Sequence, residues 1–184
     1  MKRYVYADNA ATTPVSAEVV SAMMPCFEKD WGNPSSLHQK GREAKEILDS
    51  ARERIAAVLG CRASEIYFTS CGTESDNWAI RGAAYRMRAK GRTHIITSKI
   101  EHHAVLNSCA ALAKEGFTVT YLDVDENGVV DVEQLKNTVN DKTALVSVMY
   151  ANNEVGTIEP IEEIGNIAHT VGALMFTDAV QAAG

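Results

Sequence analysis

The chain has 184 residues, of which 46% are hydrophobic and 23% charged, enough to bury one substantial core in an ordinary globular domain. A formal net charge of -6 with scattered Lys and Arg excludes the basic stripe of a nucleic-acid binder, and no window approaches the length of a membrane span. Cys26, Cys61, Cys71 and Cys109 are spaced for neither a disulfide framework nor a zinc site, and MKRYVYADNAATTP has no apolar stretch behind its two basic residues. A cytoplasmic protein with reduced thiols and no metal is expected.

Residues 1–15 read as an N-terminal arm, and 16–184 as the domain proper. A helix-like stretch begins at Ser16 and is expected to be interrupted at Pro25, before the loop signals of WGNPSS. Apolar residues at three- and four-residue steps (Ala44, Ile47, Leu48, Ala51, Ile55, Val58 and Leu59) predict a long amphipathic helix over 37–59, with Gly60 as its C-cap. Five short apolar runs then read as strands: IYFT (66–69), HIIT (94–97), TVTYL (118–122), TALVSVMY (143–150) and ALMFT (173–177). Helical patterns separate them at about 74–89, 102–115, 131–139 and 160–171, and ENG at 126–128 signals a tight turn. Alternation of this kind predicts an α/β fold with a mainly parallel sheet and helices on both faces.

Open α/β sheets bind ligands past the carboxyl ends of their strands, so the residues there are the candidate site. SCGTESDN follows the first run: Gly72 permits close backbone approach, and Thr73 offers a hydroxyl at a helix start that suits a phosphate or serves as a capping box. In IEHHAV, one of two adjacent histidines faces the crevice, or both face solvent. Asn152 in YANNEVGT is a loop amide that satisfies backbone groups or a donor to a ligand. Asp178, after an apolar strand, needs a cationic partner or strong donors, and Gln181 follows it. There is no GxGxxG and no Walker A loop. An anion cradle, a flat imidazole, amide donors and a carboxylate seeking positive charge together suit pyridoxal 5'-phosphate, with its phosphate, planar ring, phenolic oxygen and ring nitrogen.

DNAATTP, GNPSS, FTSCGTESDN, ITSKIEHHAV, YANNEVGT and TDAVQAAG, in this order, resemble the cysteine desulfurases of the housekeeping and nitrogen-fixation group, fold-type I pyridoxal-phosphate enzymes of the class V aminotransferase superfamily. The resemblance implies that Gly72 and Thr73 bind the cofactor phosphate and that His102 stacks on the ring and assists proton transfer as a catalytic residue. It implies that Asn152 and Gln181 lie near the phenolic oxygen and that Asp178 partners the ring nitrogen. The implied reaction takes sulfur from L-cysteine, leaving L-alanine and an enzyme persulfide for an iron-sulfur scaffold or another sulfur acceptor, in a homodimer. In such proteins the cofactor-bearing lysine, in a Ser-x-His-Lys segment, and the persulfide cysteine come further downstream. The chain is therefore expected to be the N-terminal portion of a large cofactor-binding domain, inactive alone; Lys40 in HQK is a superficial echo of the lysine motif. Alternatives are another class V aminotransferase, a selenocysteine lyase, or a non-catalytic cofactor-binding or interaction module.

Overall fold

The computed structural model describes residues 3–183, which divide into two compact units, Met1–Phe68 and Thr69–Gly184. In the first unit, α1 (Ala17–Glu28) starts at Ser16, whose side chain accepts from the Val19 amide. Pro25 lies inside α1 and does not interrupt it as the sequence suggested. The helix runs only three residues beyond Pro25, so little of α1 remains to be redirected, and the proline carbonyl closes the helix by accepting from the amides of Lys29 and Asp30. The predicted long helix is α2 (Gln39–Leu59), ended by Gly60 in the left-handed region at φ 67°. The backbone of the GNPSS loop sits so close to α2 that a Cβ on Gly41 would fall 2.1 Å from the Ser36 carbonyl oxygen.

The second unit carries the sheet. Its elements are α3 (Gly72–Arg88), β1 (His94–Ser98), α4 (His103–Lys114), β2 (Thr118–Leu122), α5 (Val132–Thr138), β3 (Thr143–Ser147), α6 (Ile161–Thr170) and β4 (Leu174–Phe176). All pairings are parallel, in the order β2-β1-β3-β4. The central strands β1 and β3 are buried along their whole length, as their continuous apolar runs require. Successive side chains alternate between faces. Ile95 and Leu145 pack with Ile80, Ala84 and Met87 of α3 and Val105, Cys109 and Leu112 of α4. Ile96 and Val146 pack on the other side with Leu135 of α5 and Ile164 and Ala168 of α6. Helices therefore cover both faces, as expected. His94 ties three strands together inside this sheet, its ring nitrogens 3.2 Å from the Thr143 hydroxyl and 2.9 Å from that of Thr120.

Among the described residues the run IYFT is not a strand: residues 66–69 have no regular secondary structure, the sheet has edges β2 and β4, and Tyr67 is 67% exposed. Apolar, β-prone residues make a strand only where a neighbouring backbone completes the ladder. The ENG turn is present, with Gly128 at φ 81° and the Asp125 carboxylate accepting from the amides of Asn127 and Val129. The regular part of β3 ends before position 150, yet its line continues toward β4, since the Val148 amide donates to the Phe176 carbonyl and the Tyr150 amide to that of Asp178.

Candidate active site

Four segments of the second unit converge: the start of α3 and the residues that follow β1, β3 and β4. Gly72, the first residue of α3, lies against the segment after β4, and a Cβ there would come 3.3 Å from Cγ2 of Val180. Asp76, one turn further along α3, interacts electrostatically with Asp178 and with His102. Glu101, after β1, accepts through Oε1 from the Met149 amide at the end of β3, at 3.0 Å, and it too feels Asp178. Asn152 reaches back to the β1 side by donating to the Ile100 carbonyl at 3.0 Å. Gly72, His102, Asn152 and Asp178 are thus linked around one sheet end. Thr73 is exposed beside Gly72, and Gln181 is exposed three residues beyond Asp178.

Each residue has a local reason for its position. His102 precedes α4 as its N-cap, Nδ1 accepting from the Ala104 amide at 3.1 Å. That bond fixes the ring and makes Nε2 the proton-bearing nitrogen of the neutral form. The exposed imidazole is edge-on to His103, with centroids 6.3 Å apart. The sequence suggested a helix from 102; the capping role places His102 just outside it. Asp178 accepts from the Val180 amide through Oδ1 at 3.0 Å, a short turn that holds the carboxylate at the strand end. Asn152 is buried, and its carboxamide is committed to protein partners: Nδ2 donates to the Ile100 carbonyl after β1 and to the Met149 sulfur, while Oδ1 accepts from the amides of Glu154 and Val155 in its own loop.

The start of α3 offers backbone N–H donors around the acid Glu74. The Ser70 amide and hydroxyl both donate to Glu74, holding that carboxyl below its ordinary range. The Glu74 amide, then the Ser70 hydroxyl, favour the Cys71 thiolate and lower its pKa, against a weaker opposing effect of burial. Backbone N–H groups that favour a thiolate also suit a phosphate oxygen.

Two acids that the sequence reading passed over belong to the site. Asp76 is 4% exposed, and burial, reinforced by Asp178, raises its pKa to about 6 while His102 acts in the opposite sense. Glu101 is 5% exposed and is pushed up to about 7, chiefly by burial, with the Ser98 hydroxyl and the Met149 amide opposing. A sequence signal for Asp76 existed: it precedes Ile80, Ala84 and Met87 on the buried stripe of α3, an acid at a core position. Among the described residues no Lys or Arg pairs with Asp76, Glu101 or Asp178. This donor set fits pyridoxal 5'-phosphate. The helix start with close backbone approach at Gly72 suits a phosphate, and the excess of carboxylates suits a protonated ring nitrogen.

The chain matches the aminotransferase class-V family over residues 5–184. It is 56% identical to a cysteine desulfurase IscS of Methanosarcina thermophila over 98% of this chain and 44% of that protein. It is 53% identical to a cysteine desulfurase IscS of Clostridium botulinum over 100% of this chain and 46% of that protein. A solved NifS-like protein superposes with a TM-score of 0.91 at 45% identity, covering 95% of this chain and 48% of the other. The chain thus spans a little under half the length of the curated relatives it matches.

Proposed function

Because the chain belongs to the aminotransferase class-V family, we propose that it forms the cofactor-facing part of a cysteine desulfurase that uses pyridoxal 5'-phosphate. The observation that carries this reading is the convergence of Gly72, His102 and Asp178 at one sheet end, in a region rich in carboxylates whose acids pair with no Lys or Arg among the described residues. Identities of 56% and 53% to two cysteine desulfurases support it.

When bound, the cofactor supplies an electron sink that weakens bonds at the substrate carbon attached to it. The remaining chemistry belongs to the protein. Gly72 and Thr73 would receive the phosphate at the start of α3, where the N–H groups of the first turn and the helix dipole favour an anion. Asp178 would hold a proton on the ring nitrogen, its orientation preset by the Val180 amide. His102 presents a flat ring fixed through Nδ1, so that Nε2 is the atom available to move a proton. Gln181 would donate to the phenolic oxygen, and Asn152 would hold the shape of the loop beside it through the bonds from the Glu154 and Val155 amides.

The substrate in this proposal is L-cysteine, and the products are L-alanine and a protein-bound sulfane sulfur passed to an iron-sulfur scaffold or another acceptor. A homodimer in the cytoplasm belongs to the same proposal. The test is to supply pyridoxal 5'-phosphate and L-cysteine to the protein isolated from its source and to quantify amino-acid products. Alanine in equal amount to sulfane sulfur is expected. Pyruvate and ammonia in place of alanine, or turnover restricted to a selenium substrate, would reassign the protein within the family.

A further inference from the structure

Asp178 does not act alone at the sheet end. Glu101 sits behind it with the two carboxyl oxygens in unlike surroundings. Oε1 accepts from the Ser98 hydroxyl at 2.5 Å and from the Met149 amide at 3.0 Å, whereas Oε2 is buried with no partner. A buried carboxylate oxygen with nothing to solvate it is costly in the charged form, and far less so when it carries a proton. The surroundings add to this. Glu101 faces Asp178 beyond β4 and Glu159 ahead of α6, and its charge is also felt at Cys109 of α4. Asp76 of α3 is the next acid in the cluster, reached through Asp178, and among the described residues the opposing charge it feels is that of His102. Lys99, the cation nearest in sequence, is paired with Asp123.

We infer that Glu101 is a positioning residue that carries a resident proton on Oε2 in the resting protein, leaving Asp178 as the carboxylate whose charge is offered to a ligand. The inference rests on the cofactor reading given above for its purpose, though not for the proton itself. Glu101 acts through Asp178 and does not touch the ligand. If both acids were ionised, their repulsion would loosen the link that Oε1 makes between the ends of β1 and β3, and with it the setting of Asp178. With Glu101 neutral, that link and the Asp178 charge coexist. The burial-driven rise of Glu101 to about 7 agrees with this arrangement.

The experiment is carbon-13 NMR of the whole ligand-free chain labelled at Asp Cγ and Glu Cδ, titrated from acid to alkaline pH. The Glu101 Cδ signal is expected to remain that of a neutral acid until about 7, with an inflection at the same pH in the Asp178 Cγ signal. Glu101→Gln should remove that Asp178 inflection. Ser98→Ala, which takes one donor from Oε1, should move it to higher pH. This second variant keeps the inference testable if Glu101→Gln does not fold. A Glu101 signal already ionised at mildly acid pH, or an Asp178 signal indifferent to both substitutions, would overturn the inference. Pyridoxine 5'-phosphate added to the same samples separates the two claims: failure to bind at any pH counts against the cofactor reading, while the ligand-free titration decides the proton.

Discussion

Glu101→Gln should change how stability depends on pH while leaving the fold in place. Glutamine matches glutamate in shape, and its carbonyl oxygen can accept the bonds that Ser98 and Met149 give to Oε1. In the folded wild type the group releases its proton at about 7 rather than at its ordinary value of 4.5, so between these values the native state holds a proton that the unfolded chain has lost. The stabilisation from the neutral form is therefore complete below 4.5, declines as pH rises, and is gone above 7. At 1.36 kcal/mol per pH interval of one, that window corresponds to about 3 kcal/mol, an order-of-magnitude figure. Glutamine cannot ionise, so the variant keeps what the wild type loses. Asp76 and Glu159 are also raised by burial and slope in the same direction, but they are common to both proteins and largely cancel in the difference. Urea unfolding at pH 4.5, 6, 7 and 8 should show the variant gaining on the wild type by about 3 kcal/mol across the series. Parallel curves would refute the reasoning, because they would mean that Glu101 titrates alike in the folded and unfolded states.

Three further outcomes follow from the packing and the helix start. Leu145→Ala, at a fully buried position of β3, should cost about 2–5 kcal/mol in urea unfolding of the second unit; a loss below about 1 kcal/mol would mean that the cluster between the sheet and α3 collapses around the gap. Gly72→Ala should leave the melting temperature nearly unchanged, since its Cβ meets only the Val180 methyl at 3.3 Å, yet should weaken binding of pyridoxine 5'-phosphate by narrowing the phosphate approach. Equal affinity in a fluorescence titration would remove Gly72 from the cradle. Cys71, exposed and lowered by the Glu74 amide and Ser70 hydroxyl, should be alkylated by iodoacetamide at neutral pH while buried Cys109, pushed up to about 12, stays intact until unfolding. Peptide mapping that found Cys109 labelled first would contradict the packing of α4.

Periodicity carried the architecture where side-chain burial and backbone pairing agree. The step pattern of α2 and its Gly60 cap, and the apolar runs that became β1 to β4, are local signals that tertiary structure did not override. IYFT has the same composition as those strands yet is not one among the described residues, because whether a run joins a sheet depends on backbone remote in sequence, which no local pattern reports. Pro25 misled for a related reason: a proline's effect depends on how much helix follows it, and α1 closes at Glu28. At the sheet end, the strand-end rule pointed to His102, Asn152 and Asp178, and Gly72 was reached through a run that is not a strand; none of this said what each residue does. Asn152 spends its carboxamide on the Ile100 carbonyl and on the amides of its own loop, and His102 is a helix cap whose ring orientation follows from the bond to Ala104. Glu101 was hidden because an acid next to two histidines in a sequence looks solvated. Only the fold shows that β3 encloses it.

The central claim is that the ends of β1, β3 and β4 and the start of α3 form one ligand site with Asp178 as its anionic partner. Equilibrium titration of pyridoxine 5'-phosphate into the wild-type chain and Asp178→Asn, side by side, tests it most directly. Asparagine retains an oxygen for the Val180 amide and removes only the charge. Saturable binding weakened in the variant by roughly 10- to 100-fold, the loss expected for a charge-assisted hydrogen bond of about 1.5–3 kcal/mol, is the predicted result. Equal affinities in the two proteins, or no saturable binding to the wild type, would contradict it.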